Sequence, residues 1–399
     1  MRTSAAVVRE AKMFTFYARR FWPVHRQFVK RHLARRCAKC IASEKIAALD
    51  EQGLCPACRT FRPATEQRTD RTAQEALHSV LRGHEGKGAL FDALALFSGG
   101  KDSAFMIDRI RQDYPGLRML ALTVNNTFMS PVALDNVRRL VPRLGTAHLQ
   151  FRPPPGFMEK LFRYGLTHLN ENGGSGTVDY SDGEFVVDTA RNLARRLGIP
   201  LILCGCSKYQ VEEILGLRHF ESPPEQERAA RTHVAGLDLD AMFSASEKLF
   251  WRQSVPAGEP CPRLLFPLYA WNCSEGAIVR HVRERGLLAP GSNHPMVTNH
   301  ALIPLLGAVD VHRTGYTSFE PEFCRMVREG KARATEWRPI FEMAEYASRT
   351  GAFVRRSVAD GLRRLSLTPA EVGLPTLFGN GDKPQAGLDE LKCAVTSNR

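Results

Sequence analysis

The chain has 399 residues, of which 43% are hydrophobic and 24% are charged, a composition typical of a soluble globular protein with two or three domains. No run of about 18 apolar residues occurs, and the N-terminus lacks an apolar segment followed by a cleavage site, so we expect no transmembrane helix and a cytoplasmic location. The formal net charge is +13, of which residues 1–40 supply +10 from eleven Lys or Arg and one acid, Glu10.

The first region, residues 1–36, is a basic arm that also carries six aromatic residues, which are Phe14, Phe16, Tyr17, Phe21, Trp22 and Phe28. The pattern predicts helices interrupted at Pro23. Three interpretations stay open. The arm packs its aromatics on its own domain, it binds RNA or an anionic lipid surface or lipid-linked substrate, or it is an Arg-rich mitochondrial transit peptide.

Residues 37–62 contain two Cys-x2-Cys pairs, Cys37 with Cys40 and Cys55 with Cys58, separated by fourteen residues. Two such pairs place four thiolates on two short turns, which is the geometry of a tetrahedral zinc site. Gly53 suits the tight turn before the second pair. Because four thiolates close the coordination sphere, we expect the zinc to be structural.

The remaining chain predicts an α/β fold. Residues 63–87 predict a helical linker, and residues 88–270 alternate buried strands, "ALALF", "RMLALTV", "AHLQF" and "IPLILCG", with helices. This alternation predicts a parallel sheet with helices on both faces. Residues 271–379 predict a helical region that binds the acceptor, and residues 380–399 a loose tail.

The sequence "SGGKDS", Ser98 to Ser103, follows the first strand of this domain. Ligands of open α/β sheets bind at the carboxyl ends of the strands. Glycines allow backbone amides to approach an anion, and the following helix N-terminus adds positive potential. Lys101 offers a charge for phosphate oxygens, and Asp102 fits if it orients Mg²⁺ or the turn itself. The pattern is neither a P-loop nor a dinucleotide fingerprint.

SGGKDS after a strand resembles the PP-loop of the ATP pyrophosphatase superfamily. The resemblance implies an adenine nucleotide alpha-hydrolase-like fold, ATP and Mg²⁺ as cofactors, and cleavage of ATP between the α- and β-phosphates. An acceptor carbonyl or carboxyl oxygen is adenylated, and a nitrogen or sulfur nucleophile then displaces AMP. It implies ATP-binding residues at Ser98, Gly99, Gly100, Lys101, Asp102 and Ser103, with Lys101, Asp102 and Ser103 catalytic.

Within that superfamily, residues 37–210 resemble the N-acetyl sugar amidotransferases of surface polysaccharide synthesis. "LDEQGLCPAC" matches their cysteine segment, and "LTVNNTFMSP" matches a second-strand segment with Asn125 in place of an aspartate, which adds Asn125 to the ATP site. "HRTGYTSFEPEFCRMVREGK" matches more loosely. The resemblance implies nitrogen transfer. The chain shows no cysteine–histidine glutaminase module, so ammonia would come from a separate glutaminase subunit.

Two departures keep other functions open. "SGTVDYSDGEF" has no cysteine where both the sugar enzymes and the tRNA-thiolating enzymes carry a pair, and "GCSKYQVEE" replaces the latter's motif after the fourth strand. Cluster-based tRNA thiolation is therefore disfavoured. Sulfur transfer to a tRNA base or a small molecule remains one alternative, with Cys206 as carrier. A non-catalytic nucleotide- or RNA-binding protein is another.

Further candidates follow from position alone. Cys204 is expected in the core, Lys208 near a phosphate or at the surface, and Glu212 and Glu213 as magnesium ligands or helix-surface residues. Residues 170–184 predict a mobile substrate loop with Asp179 and Asp182. Polar residues in the C-terminal region predict an acceptor-binding wall, with Arg313 the favoured contact; the set is His294, Asn299, His300, His312, Arg313, Tyr316 and Glu320.

Overall fold

The computed structural model describes residues 3–62, 67–168, 176–223, 242–248, 251, 261–289, 291–292 and 299–379. Its sheet has five strands in the order β3-β2-β1-β4-β5, and all four pairings are parallel. The strands are β1 (Ala93–Leu96), β2 (Met119–Val124), β3 (Ala147–Phe151), β4 (Leu201–Leu203) and β5 (Arg263–Leu265). The predicted parallel α/β class is confirmed.

Helices surround this sheet and make up most of the remaining described chain. In order they are α1 (Ser4–Arg20), α2 (Trp22–Val29), α3 (Pro56–Thr60), α4 (Gln67–Gly83), α5 (Lys101–Asp113), α6 (Pro131–Leu144), α7 (Phe157–Thr167), α8 (Gly176–Arg196), α9 (Pro267–Trp271), α10 (Glu275–Glu284), α11 (Ile303–Arg313), α12 (Glu320–Arg328), α13 (Ala334–Thr350) and α14 (Arg355–Arg364).

The two faces of the sheet each bury a hydrophobic cluster. Leu94 and Leu96 of β1 point into one cluster, with α7, α8 and the C-terminal helices, while Ala93 and Ala95 point into the other, with α4, α5 and α6. This alternation is the period of two of a β-strand. Burial on both faces explains why β1, β2 and β4 are continuous apolar runs, whereas the edge strand β3 is exposed or half-buried and contains His148 and Gln150.

Three elements differ from their predictions. The strand β5 was not predicted, because its three residues follow Pro262 and give no longer apolar run. The helix α8 begins at Gly176, so most of the predicted substrate loop is helical. The linker helix α4 is part of the core, because Leu77 and Leu81 are fully buried in the hydrophobic cluster that covers one face of the sheet.

The arm, the cysteine segment and α13 form a third hydrophobic cluster. The arm is helical as predicted, and α2 begins with Pro23 in its first turn, where proline needs no hydrogen-bond donor. Trp22 is 1% exposed, and its indole N–H donates to Glu342 of α13 at 3.0 Å. The arm therefore packs on the C-terminal helices.

Some expectations fall beyond the described residues. The predicted loose tail, residues 380–399, and His294 lie outside them, and the side chain of Asp179 is likewise not described. Within the described chain, no helix combines the length and apolar character that a membrane span requires.

Candidate functional site

A crevice opens at the carboxyl edge of the sheet between β1 and β4. The chain leaves β1 towards β2 on one side and, after β3, crosses to β4 on the other, so this is the point where the strand order reverses. Open α/β sheets bind ligands at such a point. The loop Ser98–Ser103 follows β1, and residues Gly205–Gln210 follow β4. The loops approach closely, because a Cβ on Gly205 would lie 3.4 Å from the backbone nitrogen of Ser103.

The two glycines of the loop have close neighbours on both sides. Gly99 has φ of +73°, and a Cβ there would lie 2.3 Å from the carbonyl oxygen of Ala133 in α6. A Cβ on Gly100 would lie 2.6 Å from the side-chain nitrogen of Asn299. A side chain at Gly99 would strain the backbone as well as clash. The loop therefore accepts no larger residue without rearrangement.

Hydrogen bonds fix the loop at the start of α5. The amide and hydroxyl of Ser98 lie 3.3 and 3.2 Å from the hydroxyl of Ser103, which itself donates to the carbonyl of Gly100 at 3.2 Å. Asn136 donates to the carbonyl of Gly99 at 2.9 Å, and Asn299 donates to the Ser98 hydroxyl at 3.0 Å. No side chain caps α5 at Gly100. The N-terminal amides of this helix can therefore bind an anion.

Lys101 stands in the crevice among carboxylates. Its ammonium lies 2.8 Å from Asp102, and Glu275 and Glu322 also face the crevice. Burial lowers the pKa of Lys101, but the charges of Asp102 and Glu275 outweigh that effect, so its pKa is raised. Burial raises the pKa of Glu322, against a 2.8 Å hydrogen bond from Ser207. The crevice thus holds the charged Lys101 beside three acids, and Lys208 and Lys331 also line it.

The crevice forms a cavity of about 320 Å³, within the usual range for a small-molecule site. One wall is the glycine loop, and the opposite wall is α12, which supplies Glu322, Phe323 and Met326. Polar and apolar side chains thus face each other across it. This arrangement can hold a phosphate chain at the loop and an organic molecule beside it.

Three of the candidate residues after β4 carry charged side chains. Lys208 lines the cavity, with its ammonium 5.6 Å from the centre of the Tyr269 ring. Glu212 and Glu213 both accept hydrogen bonds from Arg325 of α12, so this cation already engages the two predicted magnesium ligands.

The two cysteines after β4 contact each other. Cys204 is buried, as expected for a core residue, and its sulfur lies 3.4 Å from that of Cys206. The hydrogen bond to Cys204 and burial raise the pKa of Cys206 well above its usual value. Thiols react as thiolates, so Cys206 is a poor nucleophile in this arrangement. The structure therefore gives little support to Cys206 as a sulfur carrier.

Two other predicted residues lie outside the cavity lining. Asn125 follows β2, and its side-chain oxygen accepts from the amide of Thr127, whose φ is +64°. Its side chain thus holds a turn at the carboxyl edge of the sheet. Arg313 is exposed at the end of α11, next to Gly373. The structure does not place Arg313 in the wall of this cavity.

Asp182 and His300 form a half-buried pair, although the sequence places them in two separate predicted regions. Both oxygens of Asp182 accept from Asn126, at 2.9 and 3.0 Å, and its carboxylate lies 3.9 Å from Nε2 of His300. Burial raises the pKa of Asp182 to about 6 and lowers that of His300 to about 4. His300 follows Asn299, so the pair adjoins the residue that donates to the Ser98 hydroxyl.

The cysteine segment brings its four sulfur atoms together within 4.8 Å of one another, and Cys40 and Cys55 are 3.5 Å apart. A tetrahedral ion with bonds of about 2.3 Å requires sulfurs about 3.8 Å apart. The amide of Cys55 points at the sulfur of Cys37 at 3.4 Å, and Gly53 has φ of +74° as the turn demands. The segment fits a single metal ion, and we call it the knuckle (residues 37–58).

A fifth thiol and an arginine adjoin the knuckle. Cys324 of α12 is hydrogen-bonded to Cys40 and, as the largest contribution, lowers the pKa of Cys40 to about 4. Arg328, one turn further on, donates to the same sulfur at 3.5 Å. A thiolate at Cys40 is the form that binds metal. Sequence reasoning missed Cys324 because it lies outside any cysteine pair.

The helix α12 therefore connects the knuckle with the crevice. Its residues at intervals of four, Glu320, Cys324 and Arg328, face the knuckle, while Glu322, Phe323 and Met326 face the cavity. Glu320 also accepts from the buried guanidinium of Arg36, the residue just before the first cysteine. The helical period puts these two sets of residues on different faces. The knuckle thus holds one wall of the cavity.

Comparison with known proteins gives only distant likenesses. No protein-family profile matches the chain, and no curated protein matches it. Solved structures resemble it, among them the following three. NMN synthetase from Francisella tularensis is 10% identical with a TM-score of 0.36, over 70% of this chain and 94% of that one. The U34-tRNA thiolase NcsA from Methanococcus maripaludis, with its 4Fe–4S cluster, is 10% identical with a TM-score of 0.35, over 84% and 89%.

The third is glutamine-dependent NAD+ synthetase from Acinetobacter baumannii in complex with ADP, which is 12% identical with a TM-score of 0.28. That likeness covers 74% of this chain and 47% of the synthetase, so the chain spans less than half of that protein. Because every TM-score lies below 0.5, these likenesses carry no argument about function. The proposed function is therefore based on the residues and geometry of the crevice.

Proposed function

We propose that this chain is a PP-loop ATP pyrophosphatase that binds ATP at Ser98–Ser103 and transfers AMP to an oxygen of an acceptor, releasing pyrophosphate. One observation carries the proposal. The glycine loop lies at an uncapped helix N-terminus, at the point of strand reversal, and opens into a cavity large enough for a small molecule. Backbone amides, helix dipole and the ammonium of Lys101 converge there, which is the chemistry that a polyphosphate requires.

Each loop residue has a role in this proposal. Gly99 and Gly100 let the backbone approach the β- and γ-phosphates, and Lys101 neutralises the charge that grows on the departing pyrophosphate. Ser98 and Ser103 hold the loop through their mutual hydrogen bond. Magnesium would accompany the phosphates, with Asp102 as the carboxylate beside them once its contact with Lys101 is exchanged.

The acceptor would lie against α12. Phe323 and Met326 offer an apolar surface beside the carboxyl of Glu322, which suits a small carbonyl compound with polar groups. The acceptor oxygen attacks the α-phosphorus and pyrophosphate leaves. Ammonia then adds to the activated carbon, and the C–O bond breaks with AMP as the leaving group. The acceptor thereby exchanges oxygen for nitrogen, as in the sugar amidotransferases, with ammonia from a separate glutaminase subunit.

Sulfur transfer is less well supported by the residues of the crevice. It would need a nucleophilic thiolate near the loop, and the raised pKa of Cys206 keeps that thiol protonated at neutral pH. A sulfide donor from outside the chain could still replace ammonia in the same second step. A direct comparison of ammonium with sulfide as the second substrate would therefore identify the nucleophile.

We further propose that the knuckle holds structural zinc. Four buried cysteines close the coordination sphere, so no position is open to a substrate. The separation of their sulfurs suits one ion, whereas a four-iron cluster would hold its ligands farther apart. The metal would then fix α12 and, through it, the wall of the cavity.

The test supplies purified chain with ATP, magnesium and a panel of acceptors, namely N-acetyl sugars, tRNA and small carboxylates, with either ammonium or sulfide. AMP formation that depends on one acceptor, with the mass change of oxygen replaced by NH, is the expected result. Replacement of oxygen by sulfur would instead establish thiolation.

The control is Lys101→Ala beside Lys87→Ala. Lys87 is an exposed lysine at the opposite edge of the sheet, so its loss should leave turnover unchanged. Equal AMP formation by wild type and Lys101→Ala would show that the loop does not carry the activity.

A further inference from the structure

The arm carries a row of exposed apolar side chains that its own fold does not use. Met13, Phe16, Phe21, Val24 and Phe28 are 58, 62, 50, 64 and 78% exposed. They are half of the large apolar side chains that are exposed in the described part of the chain. We call these five residues the arm row.

The arm row is continuous across the junction of α1 and α2. Met13 and Phe16 are three residues apart on α1, and Phe21, Val24 and Phe28 follow at intervals of three and four, so each set shares a helix face. The rings of Phe16 and Phe21 join the two sets, with centroids 5.7 Å apart. The row therefore forms one apolar surface.

A different face attaches the arm to the protein. Phe14, Ala18 and Trp22 are buried in the cluster with α13, and Arg26 pairs with Glu342 at 2.7 Å. The arm is thus held in place by residues outside the row. The row remains turned to solvent on a helix pair whose position is fixed.

Cations flank the row, and one acid, Glu10, lies three residues before Met13 on α1. Lys12, Arg19, Arg20, Lys30 and Arg31 are exposed, and residues 11–40 contain no Asp or Glu. An apolar stripe bordered by Lys and Arg is the pattern of a helix that lies in the interface of an anionic bilayer. Each cation near such a surface increases binding by about fivefold, which is about 1 kcal/mol.

Other occupants fit this surface less well. Two copies of the chain would bring these cations together, which opposes self-association. Single-stranded RNA would stack bases on the three phenylalanines and place its phosphates at the cations, and the vesicle and oligonucleotide measurements distinguish it from lipid. Met13 and Val24 interrupt the row with aliphatic surface that bases do not require. Acyl chains and glycerol groups accept all five side chains equally.

We propose that the arm docks the protein on an anionic phospholipid surface, with the arm row in the interface and the flanking cations at lipid phosphates. This inference is independent of the proposed ATP chemistry. Docking would hold the protein at a membrane surface, where acceptors carried on lipids are concentrated.

The test measures binding of the full chain to sedimented vesicles made of equal parts phosphatidylglycerol and phosphatidylcholine, beside vesicles of phosphatidylcholine alone. The wild type should bind the anionic vesicles and lose that binding at high salt. Replacing Phe16, Phe21 and Phe28 together by Ser should lower binding at least about tenfold, because that apolar area leaves the interface. Arg19→Gln with Arg20→Gln should lower it about fivefold for each charge.

The matched control replaces Leu90 and Leu197 by Ser, since these are exposed at 66 and 42% but belong to other parts of the fold. Their loss should leave vesicle binding unchanged, and thermal unfolding should show that all variants remain folded. Unaltered vesicle binding by the triple variant, or equal binding to both vesicle types, would overturn the proposal. Binding to a uridine oligonucleotide without binding to vesicles would identify the arm as an RNA site instead.

Discussion

The crevice and the knuckle lie on two faces of α12, and they differ in how far their polar side chains are exposed to solvent. The knuckle buries all four of its cysteines and closes them on one another, whereas Lys101 and Asp102 stay partly exposed, with side chains 24 and 42% accessible. Buried cysteines that surround one metal ion stabilise the fold, whereas accessible charged side chains allow a small molecule to bind and dissociate. One helix thus connects a site that supports the fold with a site that can perform chemistry.

The largest effect is expected from removing a knuckle ligand. Cys55→Ser should cost several kcal/mol of unfolding free energy, because metal binding to a thiolate site supplies folding free energy, on the order of 10 kcal/mol in zinc-finger peptides. Thermal unfolding and elemental analysis should show a lower melting temperature and loss of zinc.

Cys261→Ser is the control for this change, since Cys261 is half-buried and lies outside the knuckle. It should keep both the metal and the stability. Retention of one zinc per chain after Cys55→Ser would show that Cys324 or another group replaces the lost ligand, and iron in place of zinc would contradict the proposed metal.

The next largest effect belongs to the crevice. Lys101→Ala should reduce turnover about 100- to 1,000-fold, because the lost group acts on charge that develops in the transition state. Binding of ATP and the melting temperature should change much less. If Lys101→Ala lowered stability as much as Cys55→Ser, the crevice would be a structural site like the knuckle, which would contradict the proposed difference.

Substitution of Gly99 and of Gly216 by alanine distinguishes the effect of a steric clash from the effect of an unfavourable backbone conformation. Gly99→Ala and Gly216→Ala both place a side chain at positive φ, +73° and +67°, which costs about 1–2 kcal/mol. Only the Cβ at Gly99 meets another group, the carbonyl of Ala133, while that at Gly216 meets nothing within 4 Å. Calorimetry should show weakened ATP binding for Gly99→Ala alone. Equal effects of the two changes would mean that the close approach at the loop is not needed.

The smallest effect concerns the half-buried pair of Asp182 and His300. The pKa of Asp182 is about 6 in the folded protein and near 3.9 when unfolded, so folding favours its protonated form. Its contribution to stability is present at low pH and is lost as the pH rises from 4 through 6. Between pH 5 and 7.5 the wild type should lose about 1 kcal/mol more stability than Asp182→Asn.

Urea unfolding of both proteins at the two pH values measures that difference. His300 acts in the other direction, because its lowered pKa disfavours the charged form and costs stability as the pH falls below 6.5. It is present in both proteins and largely cancels from the comparison. If the unfolding free energy of Asp182→Asn changes between the two pH values by as much as that of the wild type, the pKa of Asp182 is not raised.

The sequence predicts well what local chemistry decides. The knuckle cysteines, the turn at Gly53 and the Ser98–Ser103 loop depend on neighbours within a few residues, and the structure has the predicted geometry at each. The strands β1, β2 and β4 lie in apolar stretches of the sequence, which made them predictable. The strand β5 begins at a charged residue, Arg263, directly after Pro262, and its place is set by pairing with β4.

The walls of the crevice depend instead on contacts between distant parts of the chain. Nothing near Glu322 indicates that α12 faces Lys101, and Asp182 and His300 meet only because α8 and the segment before α11 pack together. The cluster of polar residues around Arg313 predicts an acceptor contact, but the position of Arg313 at the end of α11 places its side chain next to Gly373. Tertiary packing decides which polar residues share a site.

The most direct test of the central claim follows the phosphates of ATP. The purified chain is incubated with ATP labelled at the α- and γ-phosphates, with magnesium and the acceptor panel, and the labelled products are separated. Release of labelled AMP and labelled pyrophosphate, both lost in Lys101→Ala and kept in Lys87→Ala, is the predicted result. Labelled ADP and free phosphate as the only products would contradict the assignment of Ser98–Ser103 as a pyrophosphate-releasing loop.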